Sequence, residues 1–192
     1  QPLEDRIITI SRARYNVTLP CSFMLVAAMN PCPCGYYNDP SHECTCTPAQ
    51  VQRYLSRISG PLLDRIDLQV EVVPVPVKEL TNAPEGEPSA NIRARVVAAR
   101  ERQRERFANC PGVHCNAQMS ARQLQDLVHL DEAAQDALSL ALDRLGLSAR
   151  AYERVLKVAR TIADLDGSDK VQRQHIAEAV SYRNLDRSTW GT

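Results

Sequence analysis

Phe23-Met24-Leu25-Val26-Ala27-Ala28-Met29-Asn30-Pro31 is an unbroken apolar run closed by an Asn-Pro turn. Cys32-Pro33-Cys34-Gly35 follows it at once, and Cys44-Thr45-Cys46 comes shortly after. An apolar run without polar alternation, bounded by a turn signal, reads as a strand buried on both faces, as strands of parallel sheets are. The stretch behind it reads differently: four of the seven cysteines fall between Cys32 and Cys46 as two Cys-x-Cys pairs. That is the layout of a metal knuckle.

Zinc takes four soft ligands at tetrahedral corners, and two short cysteine pairs on a turn-rich loop can supply them without a folded core around the ion. Cys32, Cys34, Cys44 and Cys46 are therefore the candidate ligands of a structural zinc, with Gly35, Asn38, Asp39 and Pro40 supplying the turns. The pairs are tighter than the usual Cys-x2-Cys, and a disulfide pair or a group of buried thiols is the alternative. His42, between the pairs, reads as solvent-exposed rather than as a ligand. A catalytic zinc would need an open coordination position and a neighbouring base, and nothing in the segment argues for either.

The chain has 192 residues, 44% of them hydrophobic, enough for one large or two small cored domains. No stretch approaches eighteen apolar residues and no charged segment precedes an apolar run, so neither a membrane span nor a signal peptide is expected. Cysteines at metal-like spacing, with Cys21, Cys110 and Cys115 left over, suit a reducing compartment, and the cytoplasm is the default. Formal net charge is zero, so any nucleic-acid surface must be local.

Outward from the opening run, Ile7–Ile10 and Val17–Leu19 are β-rich around a polar Arg12–Asn16 turn, which predicts a hairpin. Thr47-Pro48 reads as an N-cap followed by proline at the first helical position, opening a helix to about Ile58, with Ser59-Gly60-Pro61 as its stop. Asp67–Val73 is another β-rich run. The segment from Thr81 to Ser89 shifts to Pro, Glu, Gly and Asn, a linker composition. Beyond it the pattern is helical: a sparse stripe of Ile92, Val96, Ala99 and Phe107, then Ala134, Leu138, Ala141 and Leu145. The clearest helix carries Tyr152, Val155, Leu156, Ala159, Ile162 and Ala163, and a last one runs from about Val171 to Tyr182. The division is then 1–80 as an incomplete α/β part, 81–90 as linker and 91–192 as a helical bundle.

Val26-Ala-Ala-Met29-Asn30-Pro31-Cys32-Pro-Cys34-Gly35, Ser59-Gly-Pro-Leu-Leu-Asp64-Arg65-Ile-Asp67, and Leu147-Ser-Ala-Arg150 through Val158-Ala-Arg-Thr-Ile-Ala-Asp164-Leu together resemble the magnesium-chelatase-like AAA+ ATPases of the ComM/YifB type. With the connecting pieces, the resemblance covers nearly the whole chain. Proteins of that type are hexameric motors tied to natural transformation and branch migration of recombining DNA. The resemblance implies ATP and magnesium as cofactors, branched or single-stranded DNA and further copies of the chain as partners, and no membrane. It also implies a fold: the C-terminal part of an AAA+ core, with a partial parallel sheet, a β-hairpin insertion and the zinc loop, followed by a helical lid.

A nucleotide-binding core needs a glycine-rich phosphate loop ending in Gly-Lys-Ser/Thr, and none of the seven glycines precedes a lysine. Leu130-Asp131-Glu132 has the look of a magnesium-binding acidic pair, but no β-rich run leads into it and an alanine-rich helix follows. It reads as a helix start, where acidic side chains are favoured. On the family pattern both nucleotide motifs lie upstream of Gln1, so this chain alone is not expected to hydrolyse ATP.

Matched to that pattern, Asn30 stands at the sensor 1 position, where a short amide orients the attacking water; its bland reading is the start of a Pro-containing turn. Arg65 resembles the arginine finger that reaches a neighbouring subunit's nucleotide, since a planar, permanently charged guanidinium suits phosphoryl oxygens. Its alternative is a surface ion pair with Asp64 or Asp67, worth about 0–1 kcal/mol. Arg53 and Arg57 are weaker finger candidates or a solvated face. Arg150 matches sensor 2, a lid arginine that engages the phosphates, although with Arg154 and Arg160 it can also belong to an ordinary charged face.

The hairpin tip, with Arg12 and Arg14 beside Tyr15, resembles a pore hairpin able to touch DNA phosphates and stack on a base. The six arginines between Arg93 and Arg106 read rather as a solvated face. Cys110-Pro-Gly-Val-His114-Cys115 is one ligand short of a second metal loop and reads as an ordinary connection. Two other functions stay open: a chelatase-type or MoxR-like remodeller acting on a protein, against which the knuckle argues, and a zinc-stabilised binding module. In a binding module Asn30, Arg65 and Arg150 need not converge, whereas a finger acting in trans should lie exposed on an edge.

Overall fold

A computed structural model describes residues 2–75, 86–146 and 148–183. Residues 81–85 of the expected linker and Leu147 lie outside the described residues. The chain divides into two compact units, one running to Arg65 and the other starting at Ile66.

The first unit opens with a single helical turn, α1 (Pro2–Asp5), and the hairpin β1 (Ile7–Arg12) and β2 (Tyr15–Pro20). The strands pair antiparallel from Ile7 with Pro20 to Arg12 with Tyr15, which confines the turn to Ala13-Arg14. A cross-strand hydrogen bond of 3.0 Å joins the Thr9 and Thr18 hydroxyls. This hairpin is the only sheet among the described residues.

The expected partial parallel sheet is absent from them. Residues 21–30 form no regular element, and Met24 and Val26 are 85% and 81% exposed. A strand buried on both faces needs hydrogen-bonded neighbours at both edges, and no described residue pairs with this run. Asp67–Val73 likewise forms no strand, with Val70, Val72 and Val73 exposed.

Helix α2 (Pro48–Leu55) starts where the sequence places it. The Thr47 hydroxyl accepts from the Gln50 amide, the Gln50 side chain accepts from the Thr47 amide, and Pro48 occupies the first turn. It ends at Leu55 rather than Ile58, because Arg57 and Ile58 bond three residues back instead of four. Ser59-Gly60-Pro61, read as a stop, instead opens the short helix α3 (Gly60–Leu63), since proline fits a first turn. Among the described residues of this unit the buried side chains are Cys32, Val51, Leu55 and Leu63, a very small interior.

The second unit is a helical bundle of α4 (Ser89–Arg106), a 3-10 turn at Asn116–Gln118, α5 (Ala121–Leu127), α6 (Glu132–Leu145), α7 (Ala149–Leu165) and α8 (Arg173–Ser181). Helix α7 is central: Val155, Leu156, Ala159, Ile162 and Ala163 pack with Phe107, Met119, Leu124, Leu138 and Ile176 in one core. The sparse stripe of α4 is only partly used. Ala99 and Phe107 are buried while Ile92, Val96 and Val97 are exposed. Asp131 caps α6, its carboxylate accepting from the Ala134 amide at 2.7 Å, so Leu130-Asp131-Glu132 is a helix start. No helix among the described residues is long and apolar enough to cross a membrane.

Candidate metal centre

The four sulfurs of Cys32, Cys34, Cys44 and Cys46 all lie within 4.8 Å of one another, the one such metal-capable group among the described residues. Cys32 and Cys34 stand 3.3 Å apart, Cys34 and Cys44 3.6 Å, Cys32 and Cys44 3.8 Å. Four thiolates bound at about 2.3 Å around a tetrahedral zinc are separated by about 3.8 Å. The observed separations exceed any disulfide bond, about 2.05 Å long, and all four cysteines are free. The donor set thus fits a metal such as zinc.

Local backbone chemistry makes the cluster. Gly35 sits in the left-handed region at φ +88°, which lets its amide turn back to the Cys32 carbonyl at 3.1 Å and the Cys32 sulfur at 3.2 Å. Asn38 adopts φ +62°, a conformation asparagine tolerates. The Asp39 carboxylate then accepts from the amides of Ser41 at 2.7 Å and His42 at 3.1 Å. These turns reverse the chain between the cysteine pairs. The exposed His42 ring stacks on Tyr36, centroids 4.8 Å apart, and stays outside the sulfur cluster.

Crowding splits the thiol acidities. The Tyr36 amide, aided by the Cys32 thiol, draws Cys34 down to about 5. The Cys46 amide favours ionised Cys44, but desolvation and the neighbouring Cys34 and Cys32 sulfurs outweigh it and push that thiol up to about 12. Desolvation also raises Cys46. Sulfurs this close cannot all ionise side by side without a cation, and a divalent metal removes the conflict by holding every thiol as thiolate.

The Asn30 side chain lies against this loop: a β-carbon placed on Gly35 would stand 3.8 Å from Asn30 Nδ2. Arg65 differs from expectation. It is half-buried rather than exposed on an edge, with Nη1 donating to the Pro61 carbonyl at 2.7 Å and Nη2 3.1 Å from Glu4. Neither Asp64 nor Asp67 is its partner. Asp67 instead pairs with Arg154 of the second unit at 2.9 Å. Arg12 and Arg14 are exposed at the hairpin turn, with Arg12 opposite Tyr15. Arg150 is exposed in the first turn of α7, beside the N-cap Ser148.

Reading Arg154 and Arg160 as a charged face missed a buried polar network. Asp164 accepts a two-pronged contact from Arg106, one arm at 2.7 Å, together with Asn116 at 2.8 Å and Arg160 at 3.0 Å. Arg160 also donates to the Asp169 carbonyl at 2.6 Å. The available clue was Arg160 and Asp164 standing four apart inside the apolar stripe of α7, where a solvated pair has no place.

Models of the magnesium chelatase subunit ChlI and of its C-terminal region match residues 1–80 and 86–183. The chain belongs to the magnesium chelatase ChlI family and is of the ComM/YifB type. It is 47% identical to YifB of Escherichia coli over 191 residues, covering 97% of this chain and 36% of that protein. It is 45% identical over 188 residues to the competence protein ComM of Haemophilus influenzae, with the same coverage. YifB of Salmonella typhimurium is 46% identical over 190 residues. The chain spans about a third of these relatives, 36% of their length.

Proposed function

We propose that this chain is the sensor, arginine-finger and lid portion of a hexameric AAA+ ATPase that moves on branched or single-stranded DNA during recombination and natural transformation. The observation that carries this reading is the 45% identity to a competence protein along 97% of the chain. ATP and magnesium are then bound with the help of motifs outside these residues, and zinc is the metal of the cysteine loop. Residues 1–80 would belong to the α/β core, 81–90 to a linker and 91–192 to the lid. In such a core the exposed apolar run of residues 23–29 would find neighbouring strands.

Roles follow from chemistry. Asn30, whose side chain lies near Gly35 of the cysteine loop, would orient a water toward the γ-phosphate. Arg65 would exchange Glu4 for the phosphate of a neighbouring subunit, so the Glu4 contact holds the finger until nucleotide arrives. Arg150, a cation in the first turn of α7 where an anion is the favoured neighbour, would meet the phosphates from the lid. Arg12 and Arg14 would face DNA in the pore.

The test is ATP hydrolysis by the full-length protein with and without branched DNA, comparing wild type with Arg65→Ala. Turnover stimulated by DNA and reduced about 10³-fold or more in the variant is the expected result. Turnover indifferent to DNA would contradict it and favour a remodeller of protein partners.

A further inference from the structure

Between the cysteine loop and α2 lies a groove of about 640 Å³, with Cys34 and Cys46 on one wall and Gln50, Arg53, Tyr54 and Arg57 on the other. Its volume falls within the about 300–1,000 Å³ of ligand-binding clefts. No acidic residue lines it. Arg53 and Arg57 stand four residues apart, the first in α2 and the second in the turn that follows, and both are exposed. Neither meets a carboxylate among the described residues, whereas Arg65, Arg106 and Arg154 each hold one. Tyr54, next to Arg53 in sequence, is half-exposed and lines the same groove.

Unpaired guanidiniums in an acid-free cleft call for an anion, and an aromatic ring among them calls for a flat apolar group. A nucleotide chain supplies both in alternation. We propose that this groove is a subsite for single-stranded DNA, in which Arg53 and Arg57 take phosphate oxygens and Tyr54 stacks on a base.

The inference rests on the DNA-acting function above and adds a place where the strand is held, apart from the hairpin tip. A competing task for the two arginines is to neutralise a tetrathiolate zinc centre, which is formally dianionic. The geometry favours the external strand: the Cys32 sulfur accepts from the Gly35 amide, Cys32, Cys34 and Cys44 contact one another, and no guanidinium hydrogen-bonds to the sulfurs among the described residues.

The experiment is fluorescence anisotropy of the zinc-loaded protein with a fluorescein-labelled oligothymidylate over a salt series, with zinc content measured in parallel. The double variant R53Q/R57Q is expected to bind at least about tenfold more weakly near 0.1 M salt. Its log–log salt slope should be shallower by about 1.4, the share of two phosphates on a single strand. Tyr54→Ala is expected to weaken binding and leave that slope unchanged. Equal affinity and slope in wild type and double variant would overturn the groove while leaving DNA binding in place. Faster zinc loss with unaltered DNA binding would assign the arginines to the metal and also overturn it. A wild-type protein that binds no DNA would sink both this subsite and the function on which it rests.

Discussion

Asp164 is buried among three donors, and its titration is a measurable consequence. Burial by itself would raise its carboxyl, but the hydrogen bonds of Arg106 and Asn116 and the charge of Arg160 more than offset that and hold it below the ordinary carboxylate range. A carboxyl depressed in the folded state stabilises above its unfolded pKa, about 3.9, and that contribution is lost as pH falls through the folded value. Urea midpoints should therefore hold steady from pH 7 to 5 and fall below about pH 4. Asp164→Asn leaves Arg106 and Arg160 without their shared counter-charge, and should cost about 3–5 kcal/mol at pH 7 and flatten the acid limb. An unchanged midpoint in the variant would contradict the network. The sequence shows the cysteine cluster more plainly than Asp164. Ligand type and spacing are local, whereas Asp164 meets Asn116 and Arg106 across 48 and 58 residues.

At the scale of elements, caps were legible and pairings were not. Thr47-Pro48 marks the start of α2 because the N-cap bond closes within three residues, and Asp131 marks α6 in the same way. The apolar run at residues 23–29 has the composition of a buried strand, but burial comes from neighbours, and composition cannot supply them. Ser59-Gly60-Pro61 misled for a related reason, since the residues that end one helix also suit the first turn of another. Helix α6 offers a clean check. Gly146 ends it in the left-handed conformation, φ +57°, with open space where a β-carbon would stand. Gly146→Ala should thus cost only the conformational penalty, about 1–2 kcal/mol by chemical denaturation, with no steric term. A loss near zero would mean that the turn relaxes.

For the molecule as a whole, the two units are held by different physics. The second has a continuous apolar core around α7 plus a satisfied ion network, enough to fold by burial. In the first, Cys32 is one of few buried side chains among the described residues, beside Val51, Leu55 and Leu63, while the hairpin and residues 23–26 leave their apolar side chains exposed. Within these residues few buried side chains fix the cysteine loop, and metal bonds, worth on the order of 10 kcal/mol in zinc-finger peptides, would fix it instead. The fold class of the second unit was readable from helical periodicity. The exposure of residues 23–26 in the first was not, because exposure depends on contacts that periodicity does not encode. Elemental analysis of the purified protein, wild type against Cys44→Ser, with far-UV circular dichroism alongside, tests the metal-stapled unit most directly. The wild type should carry one zinc per chain, and the variant should lose it while the helical signal of the bundle stays. A metal-free wild type, or full zinc retention in the variant, would contradict the account.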